Sequence, residues 1–174
     1  HRSLSETVLA MIIWLAGLSG SGKTTIGRAL YERLKGRHTN LVFLDGDEFR
    51  QVMGHDLGYS YEDRQTNARR FSHLCAFLDR QGIHMICAVL SNYPEWLRWN
   101  RETFDQYFEI FVDVSLETLL ARDVKNIYKP ALAGEKKDVV GVDIPFVPPG
   151  NADFTIDNNQ ALEDITQLVD RIIK

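Results

Sequence analysis

The stretch Met11-Ile12-Ile13-Trp14-Leu15-Ala16-Gly17-Leu18-Ser19-Gly20-Ser21-Gly22-Lys23-Thr24-Thr25 decides how this chain folds. Its first six residues are an apolar run of strand length, and Thr24-Thr25-Ile26-Gly27-Arg28-Ala29-Leu30 reads as the opening turns of a helix. Between them, Gly17 to Thr24 fills every fixed position of G-x-x-x-x-G-K-[ST], the spacing of a phosphate-binding loop. Gly17, Gly20 and Gly22, with Ser19 and Ser21 among them, let backbone N–H groups converge on phosphate oxygens. Lys23 brings a point charge to the β- and γ-phosphates, and the Thr24 hydroxyl is placed to ligate Mg²⁺. The stretch predicts a nucleoside triphosphate site at the exit of a buried strand.

The surrounding composition is that of an ordinary globular protein, 174 residues with 44% hydrophobic and 25% charged. That length supports a core without disulfides or metals, most simply as one domain. A net charge of −4 gives no global footprint for nucleic acid or an anionic membrane. An anionic substrate must then be held by locally placed cations. Cys75 and Cys87, with no C-x-x-C and no companion histidines, read as buried free thiols suited to a reducing cytoplasm. No apolar stretch approaches the ~20 residues of a membrane span. Residues 1–10 carry no secretory pattern and are expected to be a leader or linker, leaving 11–174 as the domain.

Apolar runs alternate with helical patterns along the chain. Strands are predicted over 11–16, 41–44, 84–90, 110–114 and 153–156, and helices near 24–36, 61–81, 95–106, 115–122 and 160–173. Alternation of this kind implies an α/β fold with a parallel sheet covered on both faces, its ligands beyond the carboxyl ends of the strands. Residues 125–150, rich in proline, glycine and lysine, break the pattern and predict a substrate lid.

Each remaining motif follows a strand. Asp45-Gly46-Asp47 places two carboxylates at a strand end, where they can orient a Mg²⁺-bound water or accept a proton from an attacking hydroxyl. Ser60 with Asp63 three residues on marks a helix start. Arg64 and Asn67 then share a face, and a guanidinium there suits bidentate recognition of phosphate or sulfate. Tyr59 is placed to stack on a base. Ser91 either contacts substrate or caps the following helix; Arg122 either stacks on an adenine or is an exposed helix end.

Taken together, GLSGSGKTT, DGDEFR, DLGYSYEDRQTNARR, RDVKNIY, AGE, VVGVDIPF and VPPGNADFTIDN resemble, in order, the adenylylsulfate kinases, which phosphorylate the 3′-hydroxyl of adenosine 5′-phosphosulfate. The likeness runs from about Met11 to the C-terminus. It implies a P-loop NTPase fold, a three-layer sandwich with a mainly parallel central sheet, with MgATP as donor and a lid over 125–150. By the same resemblance Gly17 to Thr25 would hold the ATP phosphates and Mg²⁺, and Asp47 would be the catalytic carboxylate, supported by Asp45 and in reach of the metal through water. Arg50, Tyr59, Arg64, Asn67, Ser91 and Lys125 match acceptor contacts, and Arg122 would stack on the ATP adenine. Family members often form dimers, so a homodimer is among the expectations.

Three departures bear on the acceptor. Where the family's lid reads F-T-G, its phenylalanine closing over the acceptor adenine, this chain has Val139-Val140-Gly141; S-P-Y becomes Ser91-Asn92-Tyr93, and K-G-L-Y becomes Lys125-Asn126-Ile127-Tyr128. Losing one face of an aromatic sandwich removes roughly 1–3 kcal/mol of base stacking. The resemblance makes 3′-phosphorylation of adenosine 5′-phosphosulfate the first expectation, and the departures open the acceptor base to question. The alternative keeps the chemistry on another nucleotide 5′-anhydride such as cytidine diphosphoramidate. A non-catalytic nucleotide switch is a third option, and the guanine-reading N-K-x-D of a GTPase switch is absent.

Overall fold

The computed structural model describes residues 10–123, 125–160 and 165–173. Residues 1–9 of the expected leader and 161–164 of the last expected helix lie outside the described residues, as do 124 and 174.

Strand β1 (Met11–Ala16) sets the layers, because side chains alternate across a strand. Ile13 and Leu15 pack with Ile26, Leu30 and Leu34 of α1 (Lys23–Leu34) and with Leu168 and Val169 of α7 (Ile165–Ile173). Ile12, Trp14 and Ala16 face the other way, onto Phe71, Cys75 and Ala76 of α3 (Tyr61–Asp79) and Leu97 of α4 (Pro94–Thr103). A strand buried on both sides reads as a continuous apolar run, which is why MIIWLA shows no polar alternation.

The other strands are β2 (Leu41–Asp45), β3 (His84–Val89), β4 (Gln106–Asp113) and β5 (Phe154–Asp157). All pairs are parallel, in the order β2-β3-β1-β4-β5, so the expected three-layer α/β sandwich is present with a wholly parallel sheet. The order places the end of β1 centrally, with the ends of β3 and β4 as its neighbours. Cys75 and Cys87 are buried free thiols, their sulfurs 3.8 Å apart. Among the described residues no helix is long and apolar enough to cross a membrane.

The elements differ from expectation in three places. A seven-residue helix α2 (Gly46–Val52) starts directly at the D-G-D motif. Strand β4 begins at Gln106, four residues early, because Met11 to Ala16 pair with Gln106 to Phe111 along the whole of β1. The expected lid loop is a packed cap: it contains helix α6 (Tyr128–Leu132), and it buries Tyr128, Ala131, Val139, Val140 and Ile144 against Leu18 and against Leu119 of α5 (Leu116–Arg122).

Candidate active site

The phosphate loop leaves β1 through positions only glycine can fill. A Cβ on Gly17 would lie 2.6 Å from the Val112 carbonyl oxygen. Gly22 has φ +103°, and a Cβ there would meet Asn158 Nδ2 at 2.7 Å. That same Nδ2 donates to the Ser21 carbonyl at 2.7 Å, bracing the loop from the end of β5. Lys23, 9% exposed, opens α1, and its Nζ donates to the Leu18 carbonyl at 2.8 Å. Burial, and then the charge of Lys125, lower its pKa to about 7 against the opposing pull of Asp47 and Asp45.

The D-G-D carboxylates do different jobs. Asp45 ends β2 and caps α2: Oδ1 accepts from the N–H groups of Asp47 at 2.9 Å and Glu48 at 3.3 Å. Its Oδ2 accepts the Thr24 hydroxyl at 2.7 Å. Asp45 thus holds both α2 and Thr24. Asp47 sits in the first turn of α2, where the helix dipole favours an anion. Its Oδ2 accepts from Lys125 Nζ at 2.8 Å.

These groups border a cavity of about 410 Å³ that also collects Arg50, Tyr59, Arg64, Asn67, Ser91 and Lys125. Every acceptor-side residue expected from the sequence therefore reaches one space. Arg50, 8% exposed, donates to the Gly58 carbonyl at 2.9 Å. Arg64 donates to the Tyr59 carbonyl at 2.9 Å and, across to the cap, to the Asp138 carbonyl at 2.8 Å. Both guanidiniums lie over the Tyr59 ring, at 4.5 and 5.1 Å, so the half-exposed ring braces two cations. Burial, and then the Arg50 charge, pull the Arg64 pKa down, an environment that favours an anion arriving beside the pair.

Ser91 lies two residues beyond β3 with φ +64°. Its hydroxyl accepts from Trp14 Nε1 at 2.8 Å and donates to the Val89 carbonyl at 3.0 Å. The capping alternative is corrected: α4 starts after Tyr93, without a side-chain cap. Arg122 ends α5 and borders a small cleft beside Ser19 and Gly20. Ser21 is fully buried within the loop and Thr25 is exposed on α1, and neither lines the cavity.

Sequence reasoning missed three supporting residues. Tyr128 donates its hydroxyl to the Ser19 carbonyl, tying the cap to the phosphate loop. Asn158 is the brace described above, and the only signal for it was its place in the last quoted block. Asn92, visible only as a departure, is 4% exposed and bonded to the cap backbone.

A parallel sheet with a glycine-rich loop, a buried lysine, a Thr–Asp pair and a carboxylate facing them across a cavity defines a P-loop kinase. The sequence profile described as Adenylylsulphate kinase matches residues 9–157, and the chain belongs to that family. Cytidine diphosphoramidate kinase of Campylobacter jejuni is 43% identical over 163 residues, covering 94% of each chain. Adenylyl-sulfate kinase of Gloeothece citriformis is 38% identical over 161 residues, 92% of this chain and 90% of the relative. Among solved structures, the Mycobacterium tuberculosis APS kinase in complex with AMPPNP and APS superposes with a TM-score of 0.83 at 30% identity, covering 94% of this chain and 95% of that one. The chain is a phosphotransferase with an alcohol group as acceptor.

Proposed function

We propose that this enzyme transfers the γ-phosphoryl group of MgATP to the ribose 3′-hydroxyl of a cytidine 5′-anhydride of the diphosphoramidate kind. The observation that carries the choice of base is Val139. It stands where the family's phenylalanine covers an adenine, and it is 4% exposed, packed with Val140 in the cap while both line the cavity. A wall of two valines offers no π-face to a purine, and the 43% relative from Campylobacter jejuni is named for a cytidine acceptor.

Thr24 Oγ1 and Asp45 Oδ2, 2.7 Å apart beside the phosphate loop, are hard oxygen donors of the kind Mg²⁺ takes alongside substrate phosphates and water. When bound, the ion supplies charge neutralisation on the β- and γ-oxygens. Lys23 and the loop amides hold the same oxygens. Asp47 orients the 3′-hydroxyl and takes its proton as the oxygen bonds to the γ-phosphorus and the bond from that phosphorus to the β–γ bridging oxygen breaks, releasing ADP. Arg50 and Arg64 provide the cations for the 5′-anhydride.

Adenosine 5′-phosphosulfate is the second reading, favoured by the same arginine pair, which fits a sulfate as well as a phosphate, and by relatives such as that of Gloeothece citriformis. A coupled ADP-release assay, with mass detection of the nucleotide product, compares kcat/KM for the two acceptors. The cytidine compound is expected to be preferred. A preference for the adenosine compound reverses the choice of base, and background turnover with both defeats the assignment of acceptor class.

A further inference from the structure

We propose that Asn92 is a positioning residue for the acceptor, strapping the return arm of the cap to the exit of β3 so that the Val139–Val140 wall keeps its place. The inference rests on the reading of the cavity as an acceptor site. Asn92 Nδ2 donates to the Pro145 carbonyl at 3.0 Å, and Oδ1 accepts from the Val147 N–H at 2.8 Å. A carboxamide presents a donor and an acceptor side by side, so one side chain fixes the register of three cap residues.

Backbone bonds carry that register to the wall. Gly141 N–H donates to the Ile144 carbonyl at 2.7 Å, Ile144 N–H donates to the Val139 carbonyl at 3.2 Å, and Val140 and Ile144 form a parallel bridge. Asp143 closes the same turn, accepting from the N–H groups of Asp138 at 2.6 Å and Val139 at 2.7 Å. From the strap at Pro145 to the bridge at Ile144 is one residue. Arg64 holds this turn at its front, through Asp138, and Asn92 holds it at its back. At the far end of the arm, Arg101 of α4 donates to the Asn151 carbonyl at 2.9 Å and pairs with Asp153 at 3.2 Å. Between these anchors, among the described residues, the arm is held by Asn92 and by Phe146, which packs on the cap cluster with its ring 6.1 Å from that of Phe111; Asn92 supplies the hydrogen bonds that set its register.

The donor side has its own braces, Tyr128 on Ser19 and Asn158 on Ser21. The wall packs against Leu18 of the phosphate loop, but these braces hold that loop from two other elements, so loosening the strap should reach the acceptor wall first and the loop much less. Kinetics on Asn92→Ala and Asn92→Asp read this split, using ATP with cytidine diphosphoramidate and with adenosine 5′-phosphosulfate. Acceptor KM is expected to rise on the order of tenfold while ATP KM stays within about twofold, the scale set by buried groups left unpaired. Asn92→Asp keeps the shape but turns a carboxylate toward the Pro145 carbonyl, so it should behave as Asn92→Ala does. An unchanged acceptor KM, or both KM values rising together, overturns the proposal.

Hydrogen exchange on the unaltered protein needs neither an acceptor nor a folded variant. The Val147 amide should exchange at least about a hundredfold more slowly than the exposed Gly150 amide. Equal rates overturn the strap whatever the enzyme phosphorylates. Slow exchange at Val147 alongside no turnover of either acceptor keeps the strap and removes the functional reading instead.

Discussion

Lys125 Nζ donates to Asp47 Oδ2 at 2.8 Å, joining the cap to the first turn of α2 across 78 positions of sequence. Partial burial raises the Asp47 pKa, but the Lys125 bond and then the charges of Lys125, Lys23 and Arg50 outweigh it and hold the carboxyl below its usual range. Asp47 is thus an anion throughout the neutral range. In the proposed mechanism, a base so depressed would contribute by orienting the hydroxyl and would accept the proton only as the oxygen commits to phosphorus. The same lysine, second to burial, also lowers the pKa of Lys23, so one cap residue bears on both groups.

Asp47→Ala should lower kcat by about 10²–10⁴, the range for a positioned base, with ATP KM little changed. Lys125→Ala should act through pH. Because the Lys125 bond lowers the Asp47 pKa, the anion survives as pH falls, and activity is lost only below the ordinary carboxylate range. Without that bond the acid limb of the kcat/KM profile moves to higher pH. A profile that stays put in Lys125→Ala would show that Asp47 does not carry the acid limb.

Lys23 gives a prediction about stability. Its pKa falls from 10.5 to about 7 on folding, so between those values the unfolded chain binds more protons. The contribution of this group to stability therefore rises as pH increases through that window, and its burial is most costly below it. Lys23→Met should abolish turnover yet melt higher at pH near 6.5, by a few degrees, since 1 kcal/mol shifts a protein of this size by about 2–4 °C. The gain should shrink toward pH 9. Calorimetry at the two pH values reads it, and a lower melting point at the acid value would mean that the ammonium is well solvated.

The parts of this fold legible in the sequence were those with local periodicity or fixed spacing. The strand, loop and helix of residues 11–34 are one such unit, and Ser60, which accepts from Asp63 N–H at 3.1 Å, is another. Helix α2 escaped because seven residues are too few to show a period, although Asp45 and Glu48 already have capping-box spacing. The first half of β4 escaped because Gln106 and Glu109 interrupt its apolar run, and only pairing with β1 fixes it as strand. The cap read as loop from its prolines and glycines, yet Val139, Val140 and Ile144 find their burial against Leu18 and Leu119, more than a hundred and about twenty positions away. Ser91 and Asn92 were ambiguous for the same reason. Their partners, Trp14 and Pro145 to Val147, are remote in sequence.

If Thr24 and Asp45 face Mg²⁺ as proposed, the pair predicts how activity responds to that ion. Thr24→Ser keeps the oxygen beside Asp45 and should retain most activity. Thr24→Ala removes the oxygen proposed to face the metal and Asp45's partner on α1, and activity at subsaturating Mg²⁺ should fall about 10–100-fold, as for loss of a group that orients a metal site. Turnover titrated against free Mg²⁺, with EDTA returning it to background, measures both. Equal Mg²⁺ dependence in the two variants would remove Thr24 from the metal site.

Val139→Phe tests the base. Val139 is 4% exposed, and the added ring has two destinations, the packed cluster around Leu18 and Tyr128 or the cavity of about 410 Å³. Forcing it into the cluster costs about 1–3 kcal/mol of overpacking, so the cavity side is favoured. There it presents a π-face, and roughly 1–3 kcal/mol of stacking should raise kcat/KM for adenosine 5′-phosphosulfate relative to the cytidine acceptor by about 10–100-fold. Val139→Leu adds bulk without a π-face and should leave the ratio near its original value. If leucine shifts the preference as far as phenylalanine does, this position selects by volume rather than by stacking, and the valine wall is a matter of fit to a smaller base.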